Sequence, residues 1–180
     1  MVNSNINSNI ICEKLSMMSF NCLFKQMDLI VINWGFPIQY SLHVASAVRV
    51  CNGDEIILNL SDEYFTKEGL PKSEGTYEYL EKAGYINDPN SLLASNIAKV
   101  NCLLKGKKVQ TVEVSRWKDL TIWFSDDIVV QIMQDCLEKD FEYYRFIEFL
   151  PHYEKDLEKC RSVHYVVKNK GGIPTLIREG

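Results

Sequence analysis

The chain reads as an α+β protein, β-rich and mainly antiparallel, arranged as a sheet or half-barrel with an N-terminal helix. Three features predict this. Apolar residues alternate with polar ones over much of the chain, which suits strands with one buried face. The dipeptide Asn52-Gly53 separates two such runs, and it favours the positive dihedrals of a tight hairpin turn. From Ile10 to Met27 the spacing is different: Ile11, Leu15, Met18 and Cys22 recur at roughly helical intervals, with Phe20 and Leu23 less regular.

In chain order, residues 1–9 hold four Asn and two Ser and read as a tail outside one β-rich domain of residues 10–180. The helix expected over Ile10–Met27 ends before Trp34-Gly35-Phe36-Pro37, because Pro37 cannot continue a helix and pushes Phe36 toward extended geometry. Ile38, Tyr40, Leu42 and Val44 then alternate as a strand, and Val48–Cys51 and Glu55–Leu60 form the hairpin around Asn52-Gly53. Residues 62–91 are rich in Gly, Pro and charge, with one short helix expected from Thr76 to Ala83. Strands follow at Ile97–Leu104 and Val109–Val114 around Lys105-Gly106-Lys107, and at Leu120–Phe124 and Ile128–Met133 around Ser125-Asp126-Asp127. Further strands are expected at Tyr143–Phe149, Val163–Val167 and Ile173–Ile177, with a helical turn in Glu154–Lys159. Val48–Asp62 and Thr121–Asp135 match in length and in their order of strand, polar turn, strand and Asp, so two related β units are a possible layout.

The chain has 180 residues with 20 Lys+Arg against 24 Asp+Glu, a net charge of −4 and 46% hydrophobic residues. That is enough apolar material for a real core, and wholesale disorder is excluded. A pI near 5.4 argues against a generally cationic nucleic-acid binder. The first nine residues lack the charge and apolar layout of a secretory signal, and the run Leu29-Ile30-Val31-Ile32 is too short to cross a bilayer. A cytoplasmic protein without a membrane partner is the expectation. The six cysteines show no zinc-knuckle or dithiol spacing and read as free thiols in a reducing compartment.

No phosphate-binding loop, dinucleotide fingerprint, nucleophile elbow or His-Glu-x-x-His motif is present. Neither a catalytic residue, a metal ligand nor a cofactor is assigned. His43 is the one histidine placed on a strand with Cys51 and Asp62 in the neighbouring hairpin, so a general base in a small enzyme or ligand pocket is the rival expectation. Asp126-Asp127 suits a turn better than a cation site, because neighbouring carboxylates there point apart.

Charge is unevenly spread. Residues 126–160 carry ten acids against four bases, interleaved with aromatics. An acidic surface with aromatic anchors suits a basic protein partner: complementary charge speeds encounter, while aromatics carry affinity. Trp123, Asp126, Asp127, Asp135, Glu138, Asp140, Glu142, Tyr143 and Tyr144 are the candidate contacts.

The segment Trp117-Lys118-Asp119-Leu120-Thr121-Ile122-Trp123-Phe124-Ser125-Asp126-Asp127-Ile128, continued by Gln131-Ile132, Asp135 and Tyr143-Tyr144-Arg145-Phe146, resembles cytosolic immunity proteins of bacterial polymorphic toxin systems. These include the immunity partners of contact-dependent growth inhibition toxins. The likeness spans about 30 residues, with a fainter second copy at Leu42–Tyr64. It implies a small, strand-rich protein that binds a cognate toxin domain, often a cationic nuclease, and occludes its active site without touching nucleic acid. An adaptor that pairs through an exposed strand edge is a third possibility.

Overall fold

The computed structural model describes residues 9–73, 88–150 and 162–179. They form an α+β structure with two antiparallel sheets and no closed barrel. The elements in chain order are α1 (Asn9–Leu15), β1 (Phe20–Gln26), β2 (Leu29–Trp34), β3 (Tyr40–Val44), β4 (Ala47–Asn52), β5 (Glu55–Asn59) and a 3-10 turn at Leu60–Tyr64. After these come α2 (Leu92–Leu104), β6 (Val109–Val114), β7 (Leu120–Phe124), β8 (Ile128–Met133), β9 (Glu142–Phe149), β10 (Ser162–Lys170) and β11 (Ile173–Glu179). The helix expected at Thr76–Ala83 and the turn expected at Glu154–Lys159 lie outside the described residues.

One sheet has the order β1-β2-β3-β9-β10-β11, the other β5-β4-β8-β7-β6. They meet along one seam, where Ser19 bridges Lys108, Phe20 N–H donates to the Lys107 carbonyl at 2.9 Å and Val109 N–H to the Met18 carbonyl at 2.9 Å. Both sheets and the two described helices feed one apolar cluster. Phe20 of β1 meets Phe124 of β7 edge to face at 6.1 Å, the offset geometry that ring quadrupoles favour.

The expected helix over Ile10–Met27 is half helix and half strand. Ile11 and Leu15 point inward from α1, and Met17, at a φ of +65°, turns the chain into β1. A bulge between Phe20 and Cys22 inserts one residue, so the inward Phe20 and Leu23 stand three apart and imitate helical spacing. The segment Ile97–Leu104 belongs to α2, not to a strand. Its buried positions Leu93, Asn96, Val100 and Leu104 follow the helical period, Ser91 Oγ accepts from Ala94 N–H as the cap, and Gly106 at +75° ends it. That glycine closes a helix instead of turning a hairpin.

The Asn52-Gly53 hairpin is present, with Asn52 opposite Glu55, and its mate β7–β8 turns on Asp126 and Asp127 at φ of +63° and +56°. The two hairpins lie side by side through the β4–β8 pair. Their residue-by-residue alignment fails, however: Val48 and Val50 face the core, whereas the matched Thr121 and Trp123 face away. A slip of one residue exchanges the faces of a strand, so the equal spacing does not describe a common side-chain plan.

Candidate functional site

Two surface features stand out among the described residues. The first lies at the end of the five-stranded sheet where β6 turns into β7 and β8 leads into β9. In the β6–β7 turn, Ser115 Oγ accepts from Trp117 N–H and Asp119 N–H, both at 3.1 Å, and Lys118 takes a φ of +68°. Trp117 projects there 55% exposed, with the Arg116 guanidinium over its ring at 4.7 Å. Leu137, in the adjoining loop, is 85% exposed, and Asp135, Glu138 and Asp140 around it are exposed too.

Both loops are tied from below. Tyr144 donates its hydroxyl to the Lys118 carbonyl at 2.9 Å, and Tyr143 donates to the Cys136 carbonyl at 2.6 Å. Gln134 binds across, its backbone N–H to Asp119 at 3.0 Å and its side-chain amide to the Trp117 carbonyl. Asn169, fully buried, donates its amide to the Glu138 carbonyl at 2.9 Å, while its own carbonyl accepts from Asp140 N–H at 2.8 Å.

Tyr143 and Tyr144 therefore require correction as partner contacts. Each is 1% exposed: the register of β9 against β10 shifts between Glu142 and Tyr144, and both neighbouring tyrosines are buried with their hydroxyls on loop carbonyls. Burial carries the Tyr144 phenol far above its ordinary pKa, so it remains a proton donor to the loop carbonyl at any physiological pH.

The acidic run is also divided. Asp126 and Asp127 precede β8 and Asp135 follows it, so the six residues Ile128–Met133 at about 3.3 Å each separate them by roughly 20 Å. At the far end, Asp126 is ion-paired with Lys107, which holds its carboxyl below the usual range, and Gly53 N–H donates to the Asp127 carbonyl at 3.1 Å. Glu142 binds Arg145 through both oxygens at 2.8 Å. Trp123 is half-buried, opposite Thr111 and Val129 in mid-sheet. Of the predicted set, Asp135, Glu138 and Asp140 stand exposed at the end that carries Trp117 and Leu137. Leu137 was missed, although a lone large apolar residue beside Glu138-Lys139-Asp140 is a legible signal.

His43, Cys51 and Asp62 are not assembled into one site. His43 on β3 pairs with Arg145 in the six-stranded sheet, while Cys51 on β4 pairs with Ile56 and Val129 in the other. Asp62 accepts from Asn59 N–H at 2.9 Å and from the Asn96 amide at 2.9 Å, closing the capping box of the 3-10 turn.

His43 belongs instead to the second feature, a groove of about 850 Å³ on the outer side of the six-stranded sheet. In β2, Ile30, Ile32 and Trp34 turn toward the core cluster, and the alternate positions Val31 and Asn33 line the groove. Phe24, Ile38, Phe149 and Leu150 supply further apolar wall. The Trp34–Gln39 turn shapes one side: Gly35 sits at +89°, where a Cβ would come 2.9 Å from the Pro37 carbonyl oxygen, so only glycine fits. Burial, then the nearby Arg145 charge, pushes the His43 imidazole below its ordinary pKa. The Arg145 guanidinium contacts His164 Nδ1 at 2.9 Å, and since guanidinium only donates, His164 carries its proton on Nε2 and gives it to Ser162 Oγ at 2.8 Å.

No helix among the described residues is long and apolar enough to cross a membrane. Comparison with protein-family models, curated proteins and solved structures finds no match for this chain.

Proposed function

We propose that the chain is a non-enzymatic inhibitor of the immunity type, acting in the cytoplasm by binding a cognate toxin domain and occluding it. The observation that carries this is the pair of loops displaying Trp117 and Leu137, held in place by buried hydrogen bonds from Tyr143, Tyr144 and Asn169. Large exposed apolar anchors on pre-ordered loops favour tight association, because little side-chain and backbone freedom is lost on binding. Asp135, Glu138 and Asp140 surround Leu137 and complement a basic partner surface, such as that of a nuclease domain. The sequence resemblance to immunity proteins at Trp117–Ile128 points the same way, and it begins at one of the two anchors.

The test is capture with the tagged chain from its native cells, run in parallel with a Leu137→Arg variant. The expected result is a stoichiometric protein partner that is lost by at least about 30-fold with the variant, the size of a hot-spot effect of about 2 kcal/mol. That partner must also arrest growth when produced without this chain, and co-production must relieve the arrest. A partner retained equally by the variant, or one harmless when produced alone, overturns the reading.

A further inference from the structure

The groove on the outer side of the six-stranded sheet shares no lining residue with the Trp117–Leu137 loops. We propose that it is a binding site for an uncharged, largely apolar small molecule with an aromatic-sized body.

Its volume of about 850 Å³ lies within the range of small-molecule sites. Phe24, Val31, Ile38 and Phe149 supply apolar wall, and Phe24 and Ile38 are 36% and 41% exposed although both line the same concavity. Besides Glu148 and His43, the polar groups of the lining are neutral: Gln26, Gln39, Tyr40, Ser41 and the amide of Asn33. Asn33 directs its amide donor to Cys22 Sγ at 3.6 Å, which leaves its oxygen as an acceptor at the floor. Groups of this kind orient a ligand without demanding charge.

The charges around the groove are already neutralised. Glu148, the one carboxylate of the lining, is bound by Lys14 at 2.7 Å. Arg145, the strand neighbour of His43, is held by Glu142 at 2.8 Å and by Glu179 at 3.3 Å. Two titratable groups of the lining remain: the Tyr40 phenol, raised above its ordinary pKa chiefly by burial, and His43, which burial beside Arg145 keeps neutral at pH 7. A charged ligand would leave its solvation for a wall that offers no counter-charge, which is unfavourable, whereas an uncharged one meets no such barrier.

Two fluorescent probes with the same N-phenylnaphthylamine body separate these cases: N-phenyl-1-naphthylamine, which is uncharged, and 1-anilinonaphthalene-8-sulfonate, which carries a sulfonate. The full chain is titrated with each at pH 7.5. The neutral probe is expected to bind saturably at one site, and the sulfonate at least roughly tenfold more weakly. Gln26→Trp, at an exposed lining position, fills the groove without disturbing the core and is expected to abolish the neutral probe's signal. Leu137→Arg is expected to leave it unchanged. Equal binding of both probes, absence of a saturable signal, or an unaltered signal in a folded Gln26→Trp protein overturns the proposal. Folding of that variant is checked by its urea midpoint, and a Gln39→Trp variant, at a second exposed lining position, provides an independent block.

Discussion

Tyr144 shows how one hydroxyl connects core to surface. Its ring is buried among apolar side chains, and its oxygen donates to the Lys118 carbonyl in a turn that carries Trp117. Tyr144→Phe keeps the ring and strands the carbonyl, so a loss of about 1–2 kcal/mol in stability is expected, read as a lower urea midpoint with unchanged slope. His43 makes a pH prediction. Its pKa is lowered in the folded chain, chiefly by burial and then by Arg145, so the unfolded state takes up a proton first as pH falls through the ordinary value of 6.5. The contribution of this site is therefore complete above about pH 7 and declines toward pH 5. Urea midpoints of His43→Gln measured from pH 8 to pH 5 should fall less steeply than those of the unsubstituted chain; parallel curves would show that His43 does not carry the effect.

Element placement rests on how strand edges are closed. β1 ends the six-stranded sheet, and its exposed edge is met by α2, where Asn101 accepts from Leu23 N–H at 2.7 Å and donates to the Leu23 carbonyl at 2.7 Å. A single side-chain amide thus stands in for one residue of a neighbouring strand. Free edges invite pairing with other chains, so Asn101→Ala is expected to cost about 2 kcal/mol and to promote self-association on storage, measured by urea melts and light scattering. At the opposite edge, β11 carries Pro174, which has no N–H to offer a further strand. The helix α2 was the element least visible in the sequence. Val100, Cys102 and Leu104 alternate as a strand would, while Leu93, Val100 and Leu104 follow the helical period, and Gly106 serves as a hairpin glycine or a helix stop with equal ease. The hairpins were legible because their turns need positive dihedrals, which Gly53 adopts freely and Asp126 and Asp127 tolerate better than most residues.

At the scale of the whole molecule, the division of the acidic run has a measurable consequence. Asp126 and Asp127 stand at the end of the sheet shared with Lys107, while Asp135, Glu138 and Asp140 stand at the end shared with Trp117 and Leu137. Asp126→Lys with Asp127→Lys should leave partner affinity nearly unchanged. Asp135→Lys with Glu138→Lys and Asp140→Lys should lower it by roughly tenfold or more and slow association at low salt, measured by surface binding kinetics. Alternation and turn residues are properties of neighbouring positions, and they were enough to determine an antiparallel α+β fold and its described strands from β3 onward, but not β1 and β2, and they placed a strand where α2 stands. Which acids share a surface, which tyrosines lie beneath it, and where His43 faces depend on strand order and on the side each strand turns to the core. Those are decided by contacts between residues far apart in the chain, since burial is settled by what covers a side chain and not by the side chain itself. Sequence spacing brought Asp126 and Tyr143 into one list, and packing set the first in solvent and the second in the core.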